Sequence, residues 1–220
     1  MNISLRLSSV AKYINGYDTL ADIACDHGYL GIYAAKNYSL KEVLLTDINE
    51  MPLASAKENI KKFNLDDIIT TKLGNGLKPL TKDYDVITIC GIGGILMTEI
   101  LANDLERIKN SKRLILCPNT DSYNVRKFLN DNNFKIEFEE VVYDYKFYEI
   151  IVCSYNDEFL NYNELELKYG PCLLKEKTQE FIKLHEKQLN LLSSQLPNIT
   201  NSEQKDKILS KINEIKNILV

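Results

Sequence analysis

The sequence lacks most of the signals that announce a specialised environment. Its five cysteines are scattered, odd in number and form no C-x-x-C pair. That spacing argues against a zinc site or a disulfide framework and fits reduced thiols in a cytoplasmic protein. No apolar run approaches the roughly 18 residues of a membrane span, so a membrane role is not expected. The amino terminus, Met1 to Leu7, has no basic region followed by a long apolar core, and Arg6 and Lys12 are its only early basic residues. No signal or transit peptide is expected from it. Long basic runs are missing too, and the formal net charge is −4. Taken alone, that balance argues mildly against a nucleic-acid partner, although a local basic face can coexist with a negative total. The glycine-rich phosphate turn G-x-G-x-x-G is absent, which argues against a dinucleotide. There is no internal repeat and no low-complexity tract.

What is present is an alternation of short apolar runs with helix-like segments. Strands are expected at Thr19–Ala24, Glu42–Thr46, Ile68–Lys72, Asp85–Cys90 and Arg113–Cys117. Helices are expected at Tyr29–Asn37, Pro52–Phe63, Gly94–Asn103 and Ser122–Asp131. An opening amphipathic helix carries Leu5, Leu7, Val10, Ala11 and Ile14. This pattern predicts a parallel sheet covered by helices on both faces. Two further β-rich runs, Phe134–Val142 and Phe147–Ser154, follow with no helix between them and read as an antiparallel hairpin. Five parallel strands closed by a hairpin form the methyltransferase variant of the Rossmann arrangement. The expected fold class is therefore α/β, a Rossmann-like class I methyltransferase domain over residues 1–155. Residues 156–220 change character. Lys175–Leu196 is helical in pattern, Pro197 to Asn201 breaks it, and Lys205–Leu219 is helical again. Ile208, Ile212, Ile215 and Leu219 repeat at coiled-coil spacing. An antiparallel helical hairpin is predicted, too short to stand alone.

The apolar run of the first strand ends at Asp22, and the chain continues through Ala24, Asp26, His27 and Gly28 into a helix. A second strand ends at Asp47, about twenty residues on. An acid there suits a ribose diol, because a carboxylate accepts from both hydroxyls. Acids at Asp22 and Asp26 repel a pyrophosphate, so a ribose-bearing ligand without phosphate fits better. S-adenosyl-L-methionine is the common one, and the acidic loop can accept from its ammonium group. Ile48 follows Asp47. Asn75 and Gly76, at a turn after the third strand, can meet an adenine amino group. Gly91, Ile92 and Gly93 follow the fourth strand and leave room for a planar ring. The same stretch lacks the Asn/Asp-Pro-Pro-aromatic turn of amino-methyltransferases, which favours a ring nitrogen as the acceptor. Pro118 and Asn119 end the fifth strand as a second wall. His27 is a candidate for contact with cofactor or substrate. Tyr29 begins a helix that faces the cleft and can stack a flipped base.

These residues resemble the TrmK family of bacterial tRNA methyltransferases acting at N1 of adenine 22. The match runs from Arg6-Leu7 through Ala21-Asp22-Ile23, Asp26-His27 and Tyr29-Leu30 to Leu73-Gly74-Asn75-Gly76-Leu77. It continues through Ile87-Thr88-Ile89, Gly91, Gly93-Gly94, Leu114-Ile115-Leu116 and Pro118-Asn119. Tyr148-Glu149-Ile150-Ile151-Val152 and Tyr169-Gly170-Pro171 complete it. The chain departs from the family at Ala24-Cys25 (usually Gly-Ser), at Gly28 and Gly31 in Gly28-Tyr29-Leu30-Gly31 (usually Ala-Tyr-Leu-Pro) and at Asp47-Ile48 (usually Glu-Val). It departs also at Asn75 (usually Asp) and Cys117 (usually Gln). The resemblance implies a Rossmann-like domain with a C-terminal coiled coil, S-adenosyl-L-methionine as cofactor, tRNA as substrate and no metal. A monomer is favoured. Asp26 is the expected stabiliser of the cationic product and Tyr29 the expected stacking surface. Arg6, Lys12, Lys175, Lys177 and Lys183 are expected phosphate contacts. The competing readings are a methyltransferase for another RNA or a small molecule, an NAD-dependent oxidoreductase, and an RNA-binding protein without turnover.

Overall fold

The computed structural model describes residues 1–220. Seven strands form one sheet: β1 (Thr19–Ile23), β2 (Glu42–Asp47), β3 (Ile69–Leu73), β4 (Val86–Cys90), β5 (Arg113–Cys117), β6 (Phe134–Asp144) and β7 (Lys146–Tyr155). Their spatial order is β3-β2-β1-β4-β5-β7-β6. The first five pair in parallel, and β7 runs antiparallel to both β5 and β6. The predicted strands are met to within a residue at each end, except that β6 runs two residues longer than expected.

The helices are α1 (Leu5–Lys12), α2 (Tyr29–Asn37), α3 (Glu50–Lys62), α4 (Gly94–Ala102), α5 (Leu105–Asn110) and α6 (Ser122–Asp131). After the sheet come α7 (Glu164–Tyr169), α8 (Leu173–Glu176), α9 (Gln179–Gln195) and α10 (Ser202–Leu219). Sequence periodicity missed α5 and α7, which are one to two turns long and too short to show a helical stripe. A local signal for α7 was nevertheless present. Asn163 accepts from the backbone of Leu165 and Glu166 while Glu166 reaches back to Asn163, a reciprocal cap. The expected Lys175–Leu196 helix is broken at Lys177, whose φ of 43° ends α8. Thr178 then caps α9 by accepting from Phe181.

Alternation along the strands builds two cores. Leu20, Val43, Leu45, Val86 and Ile115 face one way, with Val10, Leu30, Leu53 and Ile60 from α1, α2 and α3. Ala21, Leu44, Ile87, Ile89, Leu114 and Leu116 face the other, with Met97, Ile108 and Val125 from α4, α5 and α6. Strands buried on both faces read as nearly unbroken apolar runs, which is why periodicity of two was faint in the sequence. The crossover from β3 to β4 puts β1 beside β4, so the strand order reverses between them and a crevice opens at their C-terminal ends.

A third, smaller core joins the C-terminal helices to the hairpin strands. Val141, Tyr169, Leu173, Phe181, Ile215 and Ile218 meet there. Beside it lies a buried ion cluster. The Arg126 side chain of α6 is fully buried. Its Nε donates to Glu139 at 2.7 Å and its Nη2 donates to Glu149. The other Glu139 oxygen accepts from the Cys172 backbone at 2.9 Å. Gly170, at φ 91°, passes so close that a Cβ would fall 2.6 Å from that carboxylate. The Tyr148-Glu149 and Tyr169-Gly170 motifs thus owe part of their pattern to one packing problem.

Removing one member of such a cluster leaves an uncompensated buried charge. Arg126→Met is expected to cost about 3–5 kcal/mol of stability. Adding Glu139→Gln in the same chain should recover part of the loss, because the stranded charge goes with it. Urea denaturation of the single and double variants measures both.

Candidate active site

The loop between β1 and α2 is wound tightly. Ala24, Asp26 and Gly28 all take left-handed conformations, at φ 55°, 53° and 72°. Only the last is a glycine, and two non-glycine residues held there store strain of the kind found at functional sites. The loop is pinned by the Cys25 N–H donating to Thr46 at 2.9 Å and the Gly28 N–H donating to Cys25 at 2.9 Å. Gly28 has no room for a side chain. A Cβ would sit 2.7 Å from Leu45.

Beyond this loop lies a cleft of about 640 Å³ over the C-terminal ends of β1 to β4. It brings together most of the residues singled out from sequence. Asp22, Ala24, Asp26, His27 and Tyr29 line it from the first loop. Asp47 and Ile48 line it after β2, Asn75 and Gly76 after β3, and Gly91 and Ile92 after β4. Asn119 joins from the end of β5. Gly28 and Gly93 do not line it. Gly28 is spent on packing α2 against Leu45 and Ala56, and Gly93 backs onto Thr120. Pro118 and Cys117 are buried beneath the rim. The expectation that Pro118 forms a wall is therefore corrected, and only Asn119 reaches the opening. Its backbone N–H donates to Ile92 at 2.8 Å, and its amide donates to Gly91.

Asp22 is only 3% exposed. One carboxylate oxygen accepts from the Thr88 hydroxyl at 2.7 Å, while Oδ2 is buried with no partner. Burial, opposed by the hydrogen bond from Thr88, pushes its pKa to about 7. A buried carboxylate with a free oxygen at a cleft floor is a receptor for a cationic donor. Asp47 is held differently. Its Oδ2 accepts from the Asp26 N–H at 3.1 Å, and its Oδ1 accepts from the Asn49 N–H at 2.9 Å and the Asn49 amide at 3.3 Å. Asn49, not Asp47, is the N-cap residue of α3. Three of the roughly four acceptor directions of Asp47 are thus filled. A diol takes two only by displacing the longest bond, the Asn49 amide. Asp26 faces solvent, with His27 Nε2 3.5 Å away. His27 stacks obliquely on Tyr29, ring centres 5.7 Å apart, and its Nδ1 is buried without a partner.

Arg6, Lys146 and Tyr148 form the remaining wall. Asp144, in the hairpin turn, accepts from the Arg6 backbone N–H at 3.0 Å and so docks the start of α1 on that turn. The Arg6 guanidinium lies 4.7 Å over the Tyr148 ring, the Lys146 ammonium 4.8 Å from it, and Arg6 Nη1 is buried without a partner. Lys146 and Tyr148 were missed as site residues. The signals were that Tyr148 opens one motif of the family match and that both flank the hairpin turn, which antiparallel pairing lifts above the C-terminal ends of β4 and β5.

Four expected phosphate contacts lie outside the cleft. Lys175 lines a separate cavity with Arg113 and Lys135, at the N-terminal ends of β5 and β6 and so at the edge of the sheet opposite the cleft. Lys177 follows at the end of the same short helix. Lys183 is exposed on α9, 3.9 Å from Glu180. Lys12 pairs with Glu140 at 3.4 Å. The cleft thiols are not activated. Burial pushes the Cys25 thiol up, and a hydrogen bond to Cys117 together with burial does the same for Cys90.

The strand order, the acid at the tip of β1, the second acid at the tip of β2 and the closing antiparallel hairpin define a Rossmann-like methyltransferase. The family model described as TrmK, tRNA (adenine(22)-N(1))-methyltransferase, matches residues 20–217. The tRNA (adenine(22)-N(1))-methyltransferase of Bacillus subtilis (strain 168) is 32% identical over 98% of this chain and 93% of its own. The structure of M. capricolum TrmK in complex with S-adenosyl-homocysteine superposes with a TM-score of 0.87 at 33% identity, covering 99% of this chain and 97% of that one. Streptococcus pneumoniae Sp1610, in complex with S-adenosyl-L-methionine, gives 0.91 at 32% identity over the whole of both chains. The chain belongs to the TrmK family of tRNA (adenine(22)-N(1))-methyltransferases. No helix is long and apolar enough to cross a membrane.

The Asp22 carboxyl ties folding to pH. Its folded pKa of about 7 lies above the ordinary aspartate value of 3.8. The native state therefore holds a proton that the unfolded chain releases. The contribution is fully present below pH 3.8 and is lost as pH rises through about 7. Asp22→Asn is expected to flatten the fall in stability across that window, as measured by urea unfolding of the cofactor-free protein at a series of pH values.

Proposed function

We propose that this chain transfers a methyl group from S-adenosyl-L-methionine to N1 of adenine 22 in tRNA. The observation that carries the reading is the buried, half-satisfied carboxylate of Asp22 on the cleft floor, within a chain of this family. The cleft residues fit the cofactor. Asp22 Oδ2 is free to accept from its ammonium group. Asp47 would hold the ribose diol once the Asn49 amide gives way. Asn75, exposed at the turn after β3, would accept from the adenine amino group. Ala24, His27, Ile48, Gly76, Gly91 and Ile92 supply the surrounding walls. Bound there, the cofactor supplies an electrophilic sulfonium methyl.

N1 of adenine has an in-plane lone pair and carries no proton, so the chain needs no general base. Its tasks are alignment, exclusion of water and stabilisation of a developing positive charge. Asp26 is the carboxylate placed for the last task, and its exposure means solvent screens much of its effect. The adenine must also leave any base pair before N1 is accessible. Tyr29, 43% exposed at the start of α2 and lining the cleft, offers a ring for it. Residues 1–155 act in this reading as the catalytic unit, and residues 156–220 as a helical unit packed on its last two strands. The enzyme works in the cytoplasm, where tRNA is modified, and as a monomer.

Labelled cofactor and unmodified tRNA transcripts test this directly. Label is expected as 1-methyladenosine at position 22, seen by nucleoside analysis and a reverse-transcription stop, and a transcript with guanosine there should stay unlabelled. Transfer to another position or to no tRNA would reject the reading. Asp26→Asn is expected to lower kcat by about tenfold, in line with a general electrostatic contribution at an exposed site. Its cofactor Kd by calorimetry should stay near that of the parent chain. Equal losses in both would remove Asp26 from the catalytic step.

A further inference from the structure

The turn between β6 and β7 is built in an unusual way for its position. Tyr145 occupies it at φ 61° and is 95% exposed. A glycine or asparagine fits a left-handed turn position with less strain, and burial gives a tyrosine there nothing. Its neighbours continue the theme. Tyr143 is half exposed, its ring 4.9 Å from that of Phe147 in an edge-on pair. Lys146 caps the ring of Tyr148 at 4.8 Å, and Lys187 of α9 caps that of Phe147 at 5.9 Å. Both ammonium groups sit over rings instead of against carboxylates, so their charge is available to an anion. The nearby acid, Asp144, is already engaged by the Arg6 backbone.

Alternation along β7 sends this strip in two directions. Lys146 and Tyr148 line the catalytic cleft. Phe147 faces the other side and lines a groove of about 450 Å³ together with His185, Lys187, Gln188 and Lys211 from α9 and α10. Tyr145 sits at the crest between the two. Within that groove Lys168 and Lys211 share one carboxylate, Glu214, and Glu149 is paired to Arg126, which leaves Lys187 as the lysine without a carboxylate partner next to the crest. The result is one continuous aromatic and basic ridge from the cleft mouth to the C-terminal helices. Exposed rings interleaved with unpaired lysines match an unpaired nucleotide strand, with bases on the rings and phosphates on the ammonium groups.

We propose that the β6–β7 turn is a docking ridge for the RNA strand flanking the target adenine, with Tyr145 stacking an unpaired neighbouring base and Lys146 and Lys187 taking its phosphates. This rests on the function proposed above and deepens it. It also replaces Lys175 and Lys177, at the far edge of the sheet, as the basic contacts on the C-terminal unit.

Binding is the primary readout, so the ridge is judged separately from turnover. Affinity for unmodified tRNA transcript is measured by filter binding across a salt series, with cofactor affinity measured by calorimetry. Tyr145→Ala is expected to weaken tRNA binding about tenfold, as loss of one stacked base does, while Tyr145→Phe and Tyr145→Trp keep it. Lys146→Ala and Lys187→Ala should each lower the salt slope by about one. Lys175→Ala with Lys177→Ala should change neither. Cofactor affinity should be the same throughout, which separates lost docking from lost folding. Unchanged tRNA affinity in Tyr145→Ala, or an equal loss in Tyr145→Phe, would overturn the stacking role. An unchanged salt slope in both lysine variants would overturn the ridge as the path of the strand. Binding that follows this pattern without methyl transfer would uphold the ridge and reject the reaction.

Discussion

The Arg126 cluster ties α6, the hairpin strands and the entry to the C-terminal helices together at one buried point, where strand pairing and apolar packing alone would leave their charges unmatched. One guanidinium in α6 engages Glu139 of β6 and Glu149 of β7, and Glu139 in turn holds the backbone of Cys172 as the chain enters the C-terminal helices. Burying such a group is costly, and the cost is met only when every donor and acceptor is used. That requirement fixes the hairpin on the sheet edge and the helices on the hairpin. It acts also on the far side of β7. Because side chains alternate, locking Glu149 inward on one face sets Tyr148 on the other, under Arg6 and against the cleft. An ion cluster remote from the reacting atoms thereby determines the position of the acceptor wall.

The opposite wall follows a different economy. The β1–α2 loop combines backbone strain at Ala24 and Asp26 with an unpaired oxygen on Asp22. Neither stabilises the empty protein. Both are tolerated because β1 lies at the centre of the sheet, paired to β2 and β4 and buried on both faces. A ligand cation at Asp22 would satisfy the stranded oxygen and favour the ionised form, so stability missing from the free chain would reappear as affinity. The cleft is thus better fitted to its occupied state than to its free one.

The order of parallel strands, the hairpin and the acids at Asp22 and Asp47 were legible in the sequence because each is local. An apolar run ending in an acid reports both a strand and its C-terminal tip. Of the other wall only Arg6 was singled out in the sequence, because Lys146 and Tyr148 reach the cleft through the antiparallel pairing of β7, and α1 docks on their turn from more than a hundred residues away. Lys175 and Lys177 misled for the same reason. They share a segment with Lys187, but from α8 through α9 that segment climbs the hairpin, from Cys172 beside Ile136 to Lys187 over Phe147. One end of that segment lies far from the cleft and the other beside it. Composition registers lysines along a helix, but only the sheet decides which of them share a face with the site. Pro118 and Cys117 show the converse, since residues adjoining a lining residue on a strand end can point into the core.

Charge in the cleft is distributed by the order of the strands. The acids Asp22, Asp26 and Asp47 lie at the tips of β1 and β2, while Arg6 and Lys146 stand on the side of β7. Lys146 stands beyond the tips of β4 and β5, while the Arg6 guanidinium reaches in from Tyr148 as far as Gly91 at the tip of β4. A ligand carrying a cation and a diol is drawn to one end, and a polyanion is repelled from it and drawn to the other. The net charge of −4 therefore says little about the partner. A family whose reaction joins a sulfonium donor to an anionic RNA needs both fields in a single cleft. A doubly wound sheet extended by an antiparallel hairpin provides them, because it sets the donor site at the reversal of strand order and the acceptor side on strands added beyond it.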